Sequence, residues 1–254
     1  MLMPNPWDVG SARLLAWLGF EALATTSSGF AATLGQLDGS VSADQALEHA
    51  RSIVIATGLP VSADLENGFA DDPAGVAGTV RRAGEVGLAG CSIEDSTGRT
   101  ESPIYEMSEA VERITAAAEA AHGGERQLVL TARAENYLHG RPDLADTVSR
   151  LQRYQEAGAD VLYAPGVTRE GDIRVIVDSL DRPVNVLALP GTPPVGELGA
   201  IGVGRISVGG AFAFAALGAV VRASRELLDD GTYGYWEWAG PGSVAARSAF
   251  GTTG

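Results

Sequence analysis

The chain has 254 residues, 45% of them hydrophobic, enough to bury a sizeable core, and a formal net charge of -14. That acidity works against a nucleic-acid backbone or an anionic membrane surface as a partner. A single cysteine, Cys91, excludes an intramolecular disulfide and any cysteine-based structural zinc site, and it fits a reducing compartment.

The hydrophobic pattern alternates strand and helix throughout. In chain order it predicts strands at Leu2–Met3, Ala22–Thr26, Val61–Asp64, Gly90–Glu94, Leu128–Ala132, Val161–Ala164, Val184–Leu189 and Arg205–Val208. Caps and stop signals predict helices at Ser11–Leu18, Ser42–Thr57, Pro73–Gly87, Ser108–Ala121, Leu144–Ala157, Gly171–Ser179, Val195–Leu198 and Ala211–Asp229. The joins Glu85–Cys91 and Glu156–Leu162 each run from a helix-ending glycine into a buried strand. Repetition of that join favours a parallel sheet wrapped by helices. Eight such units in a chain of roughly 250 residues predict an α/β protein, a (β/α)8 TIM barrel, over residues 1–232. Residues 233–254 break the pattern. Tyr233, Tyr235, Trp236 and Trp238 precede Gly240-Pro241-Gly242, and so dense an aromatic cluster is expected to pack on the barrel or on a neighbouring subunit. No apolar run approaches about 18 residues and no signal-peptide pattern is present, so a cytoplasmic location and no membrane partner are expected.

Three segments end in charge: Pro60-Val-Ser-Ala-Asp-Leu-Glu66, Ala89-Gly-Cys-Ser-Ile-Glu-Asp95 and Leu128-Val-Leu-Thr-Ala-Arg-Ala-Glu135. They recur about every 30–40 residues, the length of one βα unit. All strand ends of a parallel barrel open on one face, so these groups are expected to converge there. Asp64, Glu66 and Glu94, with Asp38 as a further member, form the candidate metal site. An all-oxygen donor set suits Mg2+, with Mn2+ as the alternative. Arg133 is placed to fork onto a substrate carboxylate or phosphonate, and equally to pair with Glu135 or Glu94. Arg133 and Asp38 are the candidate catalytic residues. Ser28, Gly29 and Phe30 offer a hydroxyl and backbone N–H groups for an anionic substrate, although Ser-Gly after a strand is commonly just a turn. Gly209-Gly210 resembles a barrel phosphate site, and a tight strand–helix join is the preferred reading. His49, His122 and His139 fall away from the strand-end motifs, which gives little support to a histidine-based metal site or a serine triad. Cys91 is expected to be buried packing, and the polar loop Ser96–Tyr105 to cover the proposed metal.

Together these residues resemble the isocitrate lyase / phosphoenolpyruvate mutase superfamily over nearly the whole chain. Pro4–Arg13 resembles its opening segment, Thr26-Ser-Ser-Gly-Phe30 its substrate loop, and Asp64-Leu-Glu-Asn-Gly-Phe69 its Asp-Ala-Asp-Thr-Gly-Tyr motif. The resemblance implies a barrel of the phosphoenolpyruvate-binding type. It also implies direct Mg2+ contact by Asp64, and contact through water by Glu66, Glu94 and Asp38. Arg133 matches the arginine that grips a carboxylate or phosphonate, and family practice implies a homodimer or homotetramer. Two departures stand out. The loop Ser96–Pro103 lacks the Lys-Lys-Cys-Gly-His of the lyases, and Ala164-Pro165-Gly166 stands where phosphonomutases carry a histidine. What the resemblance carries is the shared core: a metal-stabilised enolate of a small 2-oxo acid. Carbon–carbon cleavage, by a lyase or an oxaloacetate-type hydrolase, is the favoured chemistry. The alternatives are a phosphonomutase or phosphonopyruvate hydrolase-like enzyme, a non-catalytic 2-oxo acid binding protein, and a phosphate-binding barrel using Gly209-Gly210.

Overall fold

The computed structural model describes residues 1–251. An extended N-terminal segment leads into α1 (Val9–Trp17), β1 (Leu23–Ala24), α2 (Ser27–Thr33), α3 (Ala43–Thr57), β2 (Val61–Asp64), α4 (Pro73–Glu85), β3 (Gly90–Glu94) and α5 (Met107–His122). Then follow β4 (Val129–Arg133), α6 (Leu144–Glu156), β5 (Val161–Tyr163), α7 (Glu170–Asp178), β6 (Val184–Leu187), α8 (Val195–Ile201), β7 (Arg205–Ser207) and α9 (Ala211–Arg225). A π-helical turn, Glu226–Asp230, and α10 (Trp236–Phe250) complete the described chain.

Seven strands pair in parallel and in sequence order, from β1 to β7. The N-terminal segment occupies the eighth position. Leu2 bridges Ile206 in parallel, the Met3 N–H donates to Ile206 O, and the Ala24 N–H donates to Pro4 O. The segment thereby links β7 to β1 and closes a (β/α)8-type barrel. The expected Leu2–Met3 strand is thus present as a single bridge, and the expected Ala22–Thr26 strand shrinks to two residues.

The helices start and stop where short-range chemistry requires. Ser42 and Gln45 form a capping box on α3, and Gly58 ends it in the left-handed region at φ 65. Asp72 caps α4 with Pro73 in its first turn, and Asp143 caps α6 through two backbone N–H groups. Inward faces of helices and strands meet in one core that includes Leu23, Ile53, Val61, Ile93, Leu130 and Leu162. Each such fully buried side chain contributes about 1.5–3 kcal/mol. Cys91 is fully buried in that core, and burial pushes its thiol up to about 12.

Two helices depart from the sequence expectation. Residues 27–30, expected as a substrate loop with a simple turn as the alternative, form the first turn of α2, because Thr26 caps it by accepting the Gly29 N–H at 3.3 Å. The aromatic tail contains α10, which runs through Pro241. It lies against α1, with Ala249 buried and Gly10 beside the Phe250 ring. Arg222 of α9 stacks 3.4 Å from the Trp238 ring centroid. Among the described residues, no helix is long and apolar enough to cross a membrane.

Candidate active site

Strand register brings the charged ends together. Asp64 lies opposite Ser92, Glu94 opposite Arg133, and Arg133 opposite Tyr163. Arg133 becomes the hub. Its Nη1 donates to Asp64 Oδ1 at 2.9 Å, its Nη2 lies 3.0 Å from Glu94 Oε2, and its Nε donates to Glu135 Oε1 at 2.7 Å. The guanidinium also lies 5.3 Å from the centroid of the Tyr163 ring. One cation thus faces three carboxylates in a mostly buried site.

Burial first, and that imbalance second, shape the titration of the acids. Burial, then the charges of Asp64 and Asp38, push Glu66 up to about 7, against the pull of Arg133. Burial holds Glu94 well above the usual carboxylate range, with Arg133 opposing and Glu135, Asp64 and Glu66 adding to the rise. Glu135 is likewise raised by burial against Arg133. Burial opposes the charge of Arg133, but Glu135, Glu94 and Asp64 more than offset it and raise its pKa. Glu66 is further marked by its backbone, which is left-handed at φ 48, and by Oε1, buried without a hydrogen-bond partner among the described residues. A non-glycine residue held there costs on the order of 1–3 kcal/mol.

A buried network supports the hub from behind. Asp95, next to Glu94, accepts the Glu135 N–H at 2.8 Å, the Tyr154 hydroxyl at 2.6 Å and Arg150 Nη1 at 3.1 Å. Arg150 also donates to Tyr105 O, tying the end of the 96–105 loop to α6. That loop folds as a short excursion, closed by an antiparallel bridge between Ser96 and Ile104.

The other expected residues fall in different places. Asp64 also accepts the Ser27 N–H at 3.3 Å, joining the start of α2 to the acid cluster. Ser28 lines the cavity, its hydroxyl 3.2 Å from Thr26 Oγ1. Gly29 and Phe30 spend their N–H groups on Thr26, so of the three residues Ser28 is the one whose N–H the cap leaves available. Asp38 is exposed on the loop after α2 and lines the same opening. The amides of Val208 and Gly209 both donate to Asn5 Oδ1 at 2.9 Å, so this loop is closed on the chain's own side chain.

The histidines require a correction. His49 lies flat on Phe30, ring centroids 3.9 Å apart, and lines a small pocket with Asp64 and Glu66; His139 lines the wider mouth with Glu94 and Arg133. Only His122 is remote, paired with Asp160 at 2.9 Å. Helical spacing shows which face of α3 is buried but not what lies over it, so the sequence alone does not bring His49 to the acid cluster.

A cavity of about 180 Å³ descends from Ser28, Asp64 and Arg133 to Asn185, Arg205 and Ser207. Among the described residues, no group of three or more acidic, histidine or cysteine side chains is disposed to chelate an ion outright. The donor chemistry nevertheless fits a hard cation that keeps much of its water. The oxygens are carboxylates, one of them is orphaned, and burial, with the charges of the neighbouring carboxylates added, raises the pKa of Glu66 and Glu94 in a way that a bound cation would reverse.

Residues 1–228 match the family model described as phosphoenolpyruvate phosphomutase. The 2-methylisocitrate lyase of Escherichia coli is 31% identical over 196 residues, covering 73% of this chain and 65% of that enzyme. The oxaloacetate decarboxylase of Pseudomonas fluorescens is 30% identical over 243 residues, covering 87% of this chain and 77% of that one. A solved structure from Burkholderia cenocepacia, assigned provisionally to the lyase/mutase class, is 53% identical with a TM-score of 0.93, over 97% of this chain and 89% of the other. With these matches and the barrel on which they rest, the chain belongs to the isocitrate lyase / phosphoenolpyruvate mutase superfamily, whose members are lyases or mutases.

Proposed function

We propose that the protein is a Mg2+-dependent enzyme, with Mn2+ as a substitute ion, that cleaves a bond beside the carbonyl of a small 2-oxo carboxylate. A carbon–carbon bond is the favoured target. The observation that carries this reading is the Arg133 hub, where Asp64, Glu94 and Glu135 meet one guanidinium beside the orphaned Glu66 Oε1. Asp64 is the proposed direct ligand, with Glu66, Glu94 and Asp38 acting through water. When bound, the ion would supply Lewis-acid polarisation of the 2-oxo group.

The chain's own groups do the rest. Ser28 presents its N–H and hydroxyl to the substrate's oxygens from the first turn of α2. Asp64 and Glu94 would hold the ion, and the Arg133 Nη1 and Nη2 donors that now face them would then be free for a substrate carboxylate. The Asp95–Arg150–Tyr154 network keeps Glu135 under the Nε of Arg133 and so fixes the orientation of the guanidinium. Such preorganised charge supplies several kcal/mol to an enolate-like transition state.

The decarboxylase and the lyase among the relatives support carbon–carbon chemistry. The phosphomutase family model favours carbon–phosphorus chemistry as the second reading. A screen of oxaloacetate, malate-type acids and phosphonopyruvate, with and without chelator and read by mass spectrometry, decides between them. Chelator-sensitive loss of oxaloacetate or a malate-type acid is expected. Turnover of phosphonopyruvate alone supports the second reading, and turnover indifferent to chelator sinks the ion's role. A homodimer or homotetramer is also proposed, supported by exposed apolar side chains on α9 and α10, among them Phe214, Val220, Val244 and Trp236.

A further inference from the structure

Arg205 is the other guanidinium in the cavity, and its surroundings are the reverse of those of Arg133. It opens β7. Its Nε donates to Asn185 Oδ1 at 2.8 Å and its Nη2 to Thr131 Oγ1 at 2.9 Å, while Nη1 has no acceptor among the described residues. Asn185 in turn donates to Ser207 Oγ at 2.9 Å. Every one of these partners is neutral. Burial presses the pKa of Arg205 down to about 10, with only Tyr163 pushing back, so it remains a cation at neutral pH with no carboxylate to balance it.

Position adds to the contrast. Thr131 precedes Arg133 by two residues on the same face of β4, so Arg205 is anchored to a side chain set about 7 Å back along that strand. Both arginines line one continuous cavity. At the mouth, three carboxylates surround one cation; at the floor, a cation stands without an anion. Arg205 is half-buried; a charge drawn out of water without a counter-ion is costly unless a partner joins it, and Arg205 lines the cavity, where such a partner could reach it.

We propose that Arg205, with Asn185, forms an anion subsite at the floor of the cavity, which takes a carboxylate at the far end of the substrate. The substrate then lies along the barrel axis, one end at the acid cluster and the other directed inward, which selects a short dicarboxylate over a monocarboxylate. The identity of the upper end rests on the 2-oxo acid reading; the subsite itself does not.

The test uses the full chain in Mg2+ with two probes: pyruvate, which has one carboxylate and an oxo group, and succinate, which has two carboxylates and no oxo group. Dissociation constants are measured by calorimetry for the wild type, Arg205→Met and Asn185→Asp. Arg205→Met is expected to weaken succinate binding about tenfold or more and to leave pyruvate within about twofold. Asn185→Asp supplies the missing carboxylate. It is expected to melt at a higher temperature than the wild type and yet bind succinate about tenfold more weakly, a combination that a folding defect does not produce. Succinate binding unchanged in both variants, or absent in the wild type, overturns the subsite, as does equal loss of both probes in Arg205→Met with Asn185→Asp behaving as wild type. Arg205-dependent binding of succinate without any binding of pyruvate leaves the subsite standing and removes the 2-oxo acid reading.

Discussion

Arg133 holds three acids that would otherwise repel one another, and its removal should be costly in a pH-dependent way. Arg133→Met leaves Asp64, Glu94 and Glu135 buried without their cation. Breaking a buried pair from one side typically costs about 3–5 kcal/mol. Because burial already favours the protonated forms of Glu94 and Glu135, the penalty should be smaller at low pH, where those acids are neutral. Urea denaturation should therefore show a larger loss at pH 8 than at pH 5; equal losses would mean that the acids are balanced by something other than Arg133. A second residue-scale prediction concerns Gly210. A Cβ there would lie 2.5 Å from Ser28 Oγ and 2.7 Å from the Phe214 ring. Gly210→Ala should cost about 1–3 kcal/mol by overpacking and raise KM through displacement of Ser28. A melting curve and a KM both unchanged would show that this contact has slack.

At the scale of elements, α3 and α2 meet through the stacked rings of His49 and Phe30. Burial holds the His49 pKa down to about 4 from 6.5, with Asp8 pulling the other way. Between those values the unfolded chain binds more protons than the folded one, so stability is lost as pH falls through that window. The full effect is on the order of 3 kcal/mol. His49→Phe keeps an aromatic ring on Phe30 and removes the titration, so its melting temperature should fall less than that of the wild type between pH 6.5 and 4. Parallel curves would contradict the assignment. The same two helices show what the sequence could and could not disclose. Asp64, Glu94 and Arg133 were legible because alternation fixes which end of a strand carries charge and the barrel fixes where that end points. The start of α2 was hidden by Gly29, a poor helix former, and α10 by Gly240-Pro241-Gly242. Glu66 in left-handed backbone and the fate of the Gly29 N–H depend on three-dimensional neighbours and leave no mark in spacing. Arg205 and Asn185 did leave one: each is a polar residue inside a strand otherwise buried, where an inward charge calls for a partner.

Across the whole molecule, barrel closure depends on residues from both ends of the pattern: the N-terminal segment, β7 and the Asn5 side chain that binds the loop after it. Parallel order was readable from the repeated glycine-to-strand joins, and the eighth position was expected at Leu2–Met3, where the chain makes a single parallel bridge to Ile206. The apolar faces of α9 and α10 belong to this scale as well. If they are covered by another copy, sedimentation should report a dimer or tetramer, and Leu217→Glu with Val221→Glu should shift it toward monomer while leaving the circular dichroism spectrum unchanged; a monomeric wild type would contradict the proposed assembly. The central claim, that strand-end acids and a divalent ion form one working unit with a 2-oxo acid, is tested most directly by titrating Mn2+ into the wild type and Asp64→Ala, with and without oxalate as a stable mimic of the oxo-acid end. The account predicts one site in the wild type, tightened by oxalate, and its loss in Asp64→Ala. Equal binding by the two proteins, or an affinity indifferent to oxalate, would contradict it.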